Sequence, residues 1–109
     1  MFKVRPGRLT ESKRNFESTE HPGVSFLSIW GENGDGSDIV KFSAGARIPR
    51  HDHEGREEIL MLSGRIRFGD LVLSAGDYLK LGPGEERDAV ALEDSTFFLS
   101  HQGGSLILE

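Results

Sequence analysis

From Val24 onward, apolar and polar residues alternate over short distances, and the three-and-four spacing of an amphipathic helix is nearly absent. Short apolar runs are separated by glycine, aspartate or proline at intervals of about 6–12 residues, the rhythm of an all-β sandwich or barrel. Strands are predicted at Val24–Trp30, Asp38–Phe42, Arg47–His53, Glu58–Leu62, Arg65–Phe68, Leu71–Leu73, Tyr78–Leu81, Ala89–Leu92, Thr96–His101 and Ser105–Leu108. The intervening segments carry turn chemistry, among them Gly31 to Gly36, Ser43-Ala44-Gly45, Ser63-Gly64, Ala75-Gly76 and Gly82-Pro83-Gly84. Val24/Phe26 and Arg65-Ile66-Arg67-Phe68 alternate as strands with one buried and one wet face. The unbroken run Ile59-Leu60-Met61-Leu62 reads instead as buried on both faces and as the centre of the core. Residues 1–20 are polar and aperiodic, with at most a turn of helix over Thr10–Phe16. They read as an arm that packs across the barrel or a neighbouring subunit, which leaves residues 21–109 as the barrel itself.

At 109 residues the chain fits one domain, large enough to hold a core without metal or disulfide staples, so a metal here would serve function rather than folding. A composition of 36% hydrophobic and 28% charged residues is that of a soluble globular protein. The net charge of −5, with no clustered Lys or Arg, argues against nucleic acid as a partner. Zero cysteines exclude disulfides, thiolate metal sites and thiol catalysis. No stretch approaches the ~20 apolar residues of a membrane helix, and the amino terminus lacks the apolar core of a signal peptide; the expectation is a cytoplasmic protein with no membrane partner.

The candidate chemistry begins at His51 and His53. In an extended strand their spacing puts both imidazoles on one face, where they can grip one ion. Glu57 follows after a short turn through Gly55, and its carboxylate can swing back to complete a two-His, one-carboxylate set with open coordination positions. Such a set suits iron, manganese, zinc, nickel or copper. An exposed polar strand end has the same spacing. Asp52, Glu54 and Glu58 cut both ways, since they draw cations but favour the protonated imidazole, which cannot ligate.

Gly45, His51, His53, Glu57 and Gly64 stand in the spacing G-x5-H-x-H-x3-E-x6-G, and in this the chain resembles the first motif of the cupin superfamily. The run-up through His21-Pro22-Gly23-Val24 and Ser43-Ala44-Gly45-Ala46 is similar to that of small RmlC-like cupins and of the cupin domain of zinc-binding anti-sigma factors. The resemblance covers about residues 21–104. It implies an all-β double-stranded β-helix, a jelly-roll barrel, with a divalent transition metal such as Zn, Fe, Mn or Ni held in its mouth by His51, His53 and Glu57. It also implies a homodimer paired through the sheets.

The second cupin motif, G-x5-P-x-G-x2-H, is matched imperfectly. Gly76 and Gly84 are in register, Pro83 is one place late, and Arg87 stands where the fourth ligand is expected. Arginine stays protonated and offers only donors, so it cannot coordinate a metal. Three readings follow: Arg87 forms a bidentate pair with Glu57 in a metal-free barrel, or it clamps an anionic group of a small-molecule ligand beside a three-ligand ion, or it points to solvent among Glu85, Glu86 and Asp88. His101 is the one conceivable replacement ligand, and Tyr78 with Lys80 could line the cavity as acid or base. Phe26, Trp30, Phe42, Met61, Phe68, Phe97 and Phe98 are assigned to the core or a subunit interface. The functions left open are a metal enzyme of the dioxygenase or isomerase kind with Arg87 orienting its substrate, a metal or small-molecule sensor without turnover, and a metal-free ligand-binding barrel. No separate helical segment for gripping a sigma factor is visible.

Overall fold

The computed structural model describes residues 15–51, 55–85 and 87–103, with His51 described by its backbone alone. Its strands are β1 (Glu17–Ser18), β2 (Val24–Glu32), β3 (Asp35–Phe42), β4 (Arg47–His51), β5 (Glu57–Ser63), β6 (Arg65–Phe68), β7 (Leu71–Ser74), β8 (Tyr78–Leu81), β9 (Arg87–Ala91) and β10 (Ser95–His101). Six form one sheet in the order β1-β2-β3-β10-β5-β8 and four form a second in the order β4-β9-β6-β7, every pairing antiparallel. This is a jelly-roll barrel. No helix occurs among the described residues, so none there could cross a membrane.

Local chemistry accounts for the connections. β2 and β3 join through Asn33-Gly34, with φ of 52° and 85°, the pair of left-handed residues that a two-residue hairpin matched to strand twist requires. The loop expected over residues 31–36 therefore shrinks to two residues, because Gly31 pairs with Gly36 and Glu32 with Asp35. The motif glycine Gly64 has φ of +79°, and a Cβ there would stand 2.2 Å from Ser95 Oγ and 2.3 Å from the Asp94 carbonyl. Only glycine lets β5 turn into β6 against the start of β10.

The core lies between the sheets. Val40, Phe42, Ile59, Met61, Phe97 and Leu99 of the larger sheet pack with Ile48, Ile66, Phe68, Ala89 and Ala91 of the smaller. The Phe97 ring links the two, with its centroid 5.8 Å from that of Phe42 and 6.0 Å from that of Phe68. The Ile59–Leu62 run is buried on one face only, a correction to its sequence reading: Ile59 and Met61 are fully buried, whereas Leu60 is 40% and Leu62 47% exposed. Its outward residues lie on a sheet face that nothing in the described chain fully covers. Trp30 likewise leaves the core for that outer face, 51% exposed, its indole N–H donating to Ser37 Oγ at 3.1 Å.

The described end of the arm adds an edge strand. Glu17 pairs with Phe26 and Ser18 with Ser25, and the Lys41 ammonium sits 4.1 Å from the centre of the Phe16 ring. Asn15 and Phe16 are not helical; the rest of the expected helical turn, and the strand expected at Ser105–Leu108, lie outside the described residues.

Candidate metal centre

β4 leaves the smaller sheet at His51 and β5 enters the larger at Glu57, both at one end of the barrel. That end is the mouth. Glu57 is 2% exposed and shares the inner face of β5 with Ile59 and Met61. On the other sheet a register shift after Ile48 brings the backbone of His51 opposite Arg87, the first residue of β9. His53, with Asp52 and Glu54, lies outside the described residues. Among the described residues no three His, Asp or Glu side chains gather as a metal site, a set that lacks both candidate imidazoles. The donor chemistry nevertheless fits: two neutral imidazoles with a carboxylate suit a divalent transition ion, and a carboxylate buried as deeply as Glu57 needs compensation for its lost hydration.

Arg87 faces inward in alternation with Ala89 and Ala91, which corrects the reading that it points simply to solvent. Its side chain runs along its own sheet toward the β6–β7 turn, where a Cβ on Gly69 would stand 3.2 Å from Nη1. Nη2 lies 3.9 Å from Glu85 Oε2, and Nε is buried with no hydrogen-bond partner. Among the described residues the guanidinium thus has its ion pair with Glu85, and the bidentate Glu57–Arg87 pair is not formed. The Gly82–Gly84 turn explains this, since it delivers Glu85 to the same side of the mouth as Arg87.

His101, considered as a spare ligand, does project inward, opposite Glu57 on the neighbouring strand. Its ring is committed elsewhere: Nδ1 lies 2.9 Å from the Gly34 carbonyl and Nε2 lies 3.0 Å from Asp38 Oδ2. A carbonyl only accepts, so Nδ1 carries a hydrogen. Nε2 then either donates, as part of an imidazolium facing a carboxylate, or accepts from a protonated Asp38; in both forms the pair holds one shared proton. Asp38 went unnoticed in the sequence, yet its two-residue spacing from Val40 and Phe42 is the signal that puts it inside. It is 3% exposed, and desolvation pushes its carboxyl above the ordinary value, opposed by the charge and hydrogen bond of His101 and by a hydrogen bond from Ser28.

That shift has a consequence for stability. The unfolded chain releases the Asp38 proton near 3.8 and the native state releases it at higher pH, so the native state binds more protons between those values. Stability attributable to this group is present below the unfolded value and is lost as pH rises through the folded one. Asp38→Asn cannot ionise, and its amide can donate to Nε2 of a neutral His101. The variant is expected to match or exceed the parent's Tm at neutral pH, by about 4 °C for a ~1 kcal/mol effect at this size. Calorimetry from pH 4 to pH 8 should show that gain shrinking in acid; a loss of Tm at neutral pH would mean the charged pair is net stabilising.

Tyr78 and Lys80 do not line the cavity. Leu79 and Leu81 take the inner face of β8, which leaves Tyr78 55% exposed on the outer one, where its hydroxyl donates to Glu58 Oε1. That hydrogen bond is the main reason the phenol is held above its ordinary range. The sequence pattern Tyr-x-Lys fixed a shared face correctly but not which face.

With the barrel and its mouth described, comparison with known proteins adds the family. The family model of the ChrR cupin-like domain matches residues 8–106. The chain belongs to that family. Among solved structures, an RmlC-like cupin from Shewanella frigidimarina superposes with a TM-score of 0.75 at 16% identity, over 86% of this chain and 87% of that one. An acetylacetone dioxygenase from Acinetobacter johnsonii gives 0.76 at 15% identity, over 92% and 76%. A structure of Rhodobacter sphaeroides SigE in complex with the anti-sigma ChrR gives 0.75 at 22% identity, over 87% of this chain but only 52% of that one. At these identities the likeness establishes the cupin barrel and nothing about chemistry. No curated protein matches the sequence.

Proposed function

We propose that this cupin domain binds one divalent transition metal through His51, His53 and Glu57 and uses the site to act on or sense a small, anionic molecule. The observation that carries this reading is the meeting, at one end of the barrel, of the buried Glu57 carboxylate, the end of β4 at His51 and the inward-facing Arg87. When bound, the metal supplies Lewis acidity toward a coordinated oxygen or carbonyl. The chain's own residues do the rest. Glu57, held on a central strand between β10 and β8, brings negative charge to the metal. Ile59, Leu99 and Ala89 belong to the packed apolar core beneath, which excludes water. Arg87, whose Nη2 has the Glu85 carboxylate only at 3.9 Å, presents a guanidinium suited to a carboxylate or other oxyanion. An arginine in that place cannot ligate, so the coordination left open by the three protein ligands would be available to the small molecule.

Arg87→His tests the placement. It should restore a fourth ligand and slow metal loss to a chelator by ~10-fold or more, the scale on which neighbouring groups tune such sites. Unchanged retention would mean Arg87 does not occupy the ligand place. The proposal has an enzymatic form, turnover of the small molecule, and a binding form, sensing without turnover. Oxygen uptake by metal-loaded protein given small diketones, phenolic acids or sugar derivatives separates the two, because turnover of any of them removes a purely sensory role. The proposal includes a homodimer through the outer sheet faces, supported by the exposure of Leu60, Leu62 and Tyr78 there, and cytoplasmic residence.

A further inference from the structure

The mouth contains a carboxylate already placed beside Arg87. Glu85 Oε1 accepts from the Gly82 N–H at 3.0 Å, in a turn closed by the Glu85 N–H donating to the Gly82 carbonyl at 3.3 Å. That anchor holds Oε2 3.9 Å from Arg87 Nη2, inside ion-pair range but beyond hydrogen-bond reach. On its other side the guanidinium is backed by Gly69, whose N–H donates to the Asp88 carbonyl at 2.9 Å and whose own carbonyl accepts from Arg67 Nη1 at 2.8 Å. Among the described residues the guanidinium is therefore seated firmly and matched loosely: its buried Nε has no hydrogen-bond partner, and the Glu85 carboxylate stops short of a hydrogen bond.

We propose that Glu85 is a built-in competitor for the anion position on Arg87, and so sets how tightly the mouth takes a small carboxylate ligand. The proposal deepens the reading of Arg87 given above and rests on it. A tethered carboxylate two residues away is present at high effective concentration, so a free ligand must displace it. Because the Glu85–Arg87 pair is partly exposed, at 49% and 31% of the two side chains, the competition is modest and screened by salt. A ligand carboxylate that closes to hydrogen-bond distance of Nη2 gains what Glu85, held 3.9 Å away, does not reach.

The test is calorimetric titration of benzoate, with benzamide as the neutral control, into the parent protein, Glu85→Gln and Arg87→Gln. Glutamine at 85 keeps an oxygen to accept from Gly82 and so preserves the turn. Glu85→Gln is expected to bind benzoate about threefold to fivefold tighter than the parent at low salt, the scale of one exposed ion pair, with the gain vanishing at high salt. Arg87→Gln should weaken benzoate binding, and the double variant should show no gain. Glu85→Ala provides a second variant if the glutamine perturbs the turn, and should move affinity in the same direction. Equal affinities for parent, Glu85→Gln and Glu85→Ala, with Arg87→Gln still weakened, would overturn the competitor role while leaving the anion site standing. Benzoate binding indifferent to Arg87→Gln would overturn both.

Discussion

The parent is expected to emerge from a chelator-free purification with about one transition ion per chain, the stoichiometry of the mononuclear site proposed, and the double variant His51→Ala/His53→Ala without metal. Removing two of three protein ligands must weaken binding by far more than the ~100-fold that loss of a single outer partner can cost. The fold should survive. The core is built from apolar residues between two sheets and owes nothing to the ion, so circular dichroism should be unchanged. Only the stabilisation contributed by bound metal should disappear, about 2.7 kcal/mol if the ion is present at a hundred times its Kd. Glu57→Gln provides the complementary case, keeping the shape of the buried side chain while removing its charge. Elemental analysis that finds no metal in the parent, with both histidines intact, would decide for a metal-free barrel.

The second large effect is expected at Phe97. Its side chain is fully buried, and its ring touches Phe42 within the larger sheet and Phe68 across the core. Phe97→Ala should cost about 3–5 kcal/mol, lost transfer free energy plus an unfilled cavity, out of a total that for a domain of this kind is ~5–15 kcal/mol. Phe98 is the internal control. It is next in sequence but on the outer face of β10, opposite Ile39 and Leu60, and Phe98→Ala should cost about 1 kcal/mol or less. Urea midpoints for the two variants measure the difference. Equal losses would contradict the assignment of inner and outer faces along the central strand.

Much of the barrel was legible in the chain because a strand in a one-sided sheet writes its burial pattern with a period of two. The strands around Phe42, Phe68, Leu81 and Phe97 appear close to where alternation puts them. The reading failed where one residue type serves two purposes. Gly31 and Gly36 looked like turn residues and instead pair across a tight hairpin. Leu60 and Leu62 looked like core because apolarity alone does not distinguish a central strand buried on both faces from one whose outer face stays open. Tyr78 was drawn toward the cavity by its chemistry, although Leu79 and Leu81 already claimed the inner face.

The site divides in the same way. Spacing by itself determined that His51, His53 and Glu57 belong to one short stretch of chain and that Arg87 stands in the second motif, since those are facts of order along a polymer. Which groups meet Arg87 and His101 was decided only in three dimensions. Asp38 and His101 are 63 residues apart, and only the pairing of β3 with β10 brings them within a hydrogen bond. Arg87 chose Glu85 over Glu57 because a glycine turn and the seat at Gly69 fix the direction of its side chain. Periodicity reports which side of a strand is apolar; the partners of a polar group inside a barrel depend on register and twist between strands distant in sequence, and no local pattern carries that information.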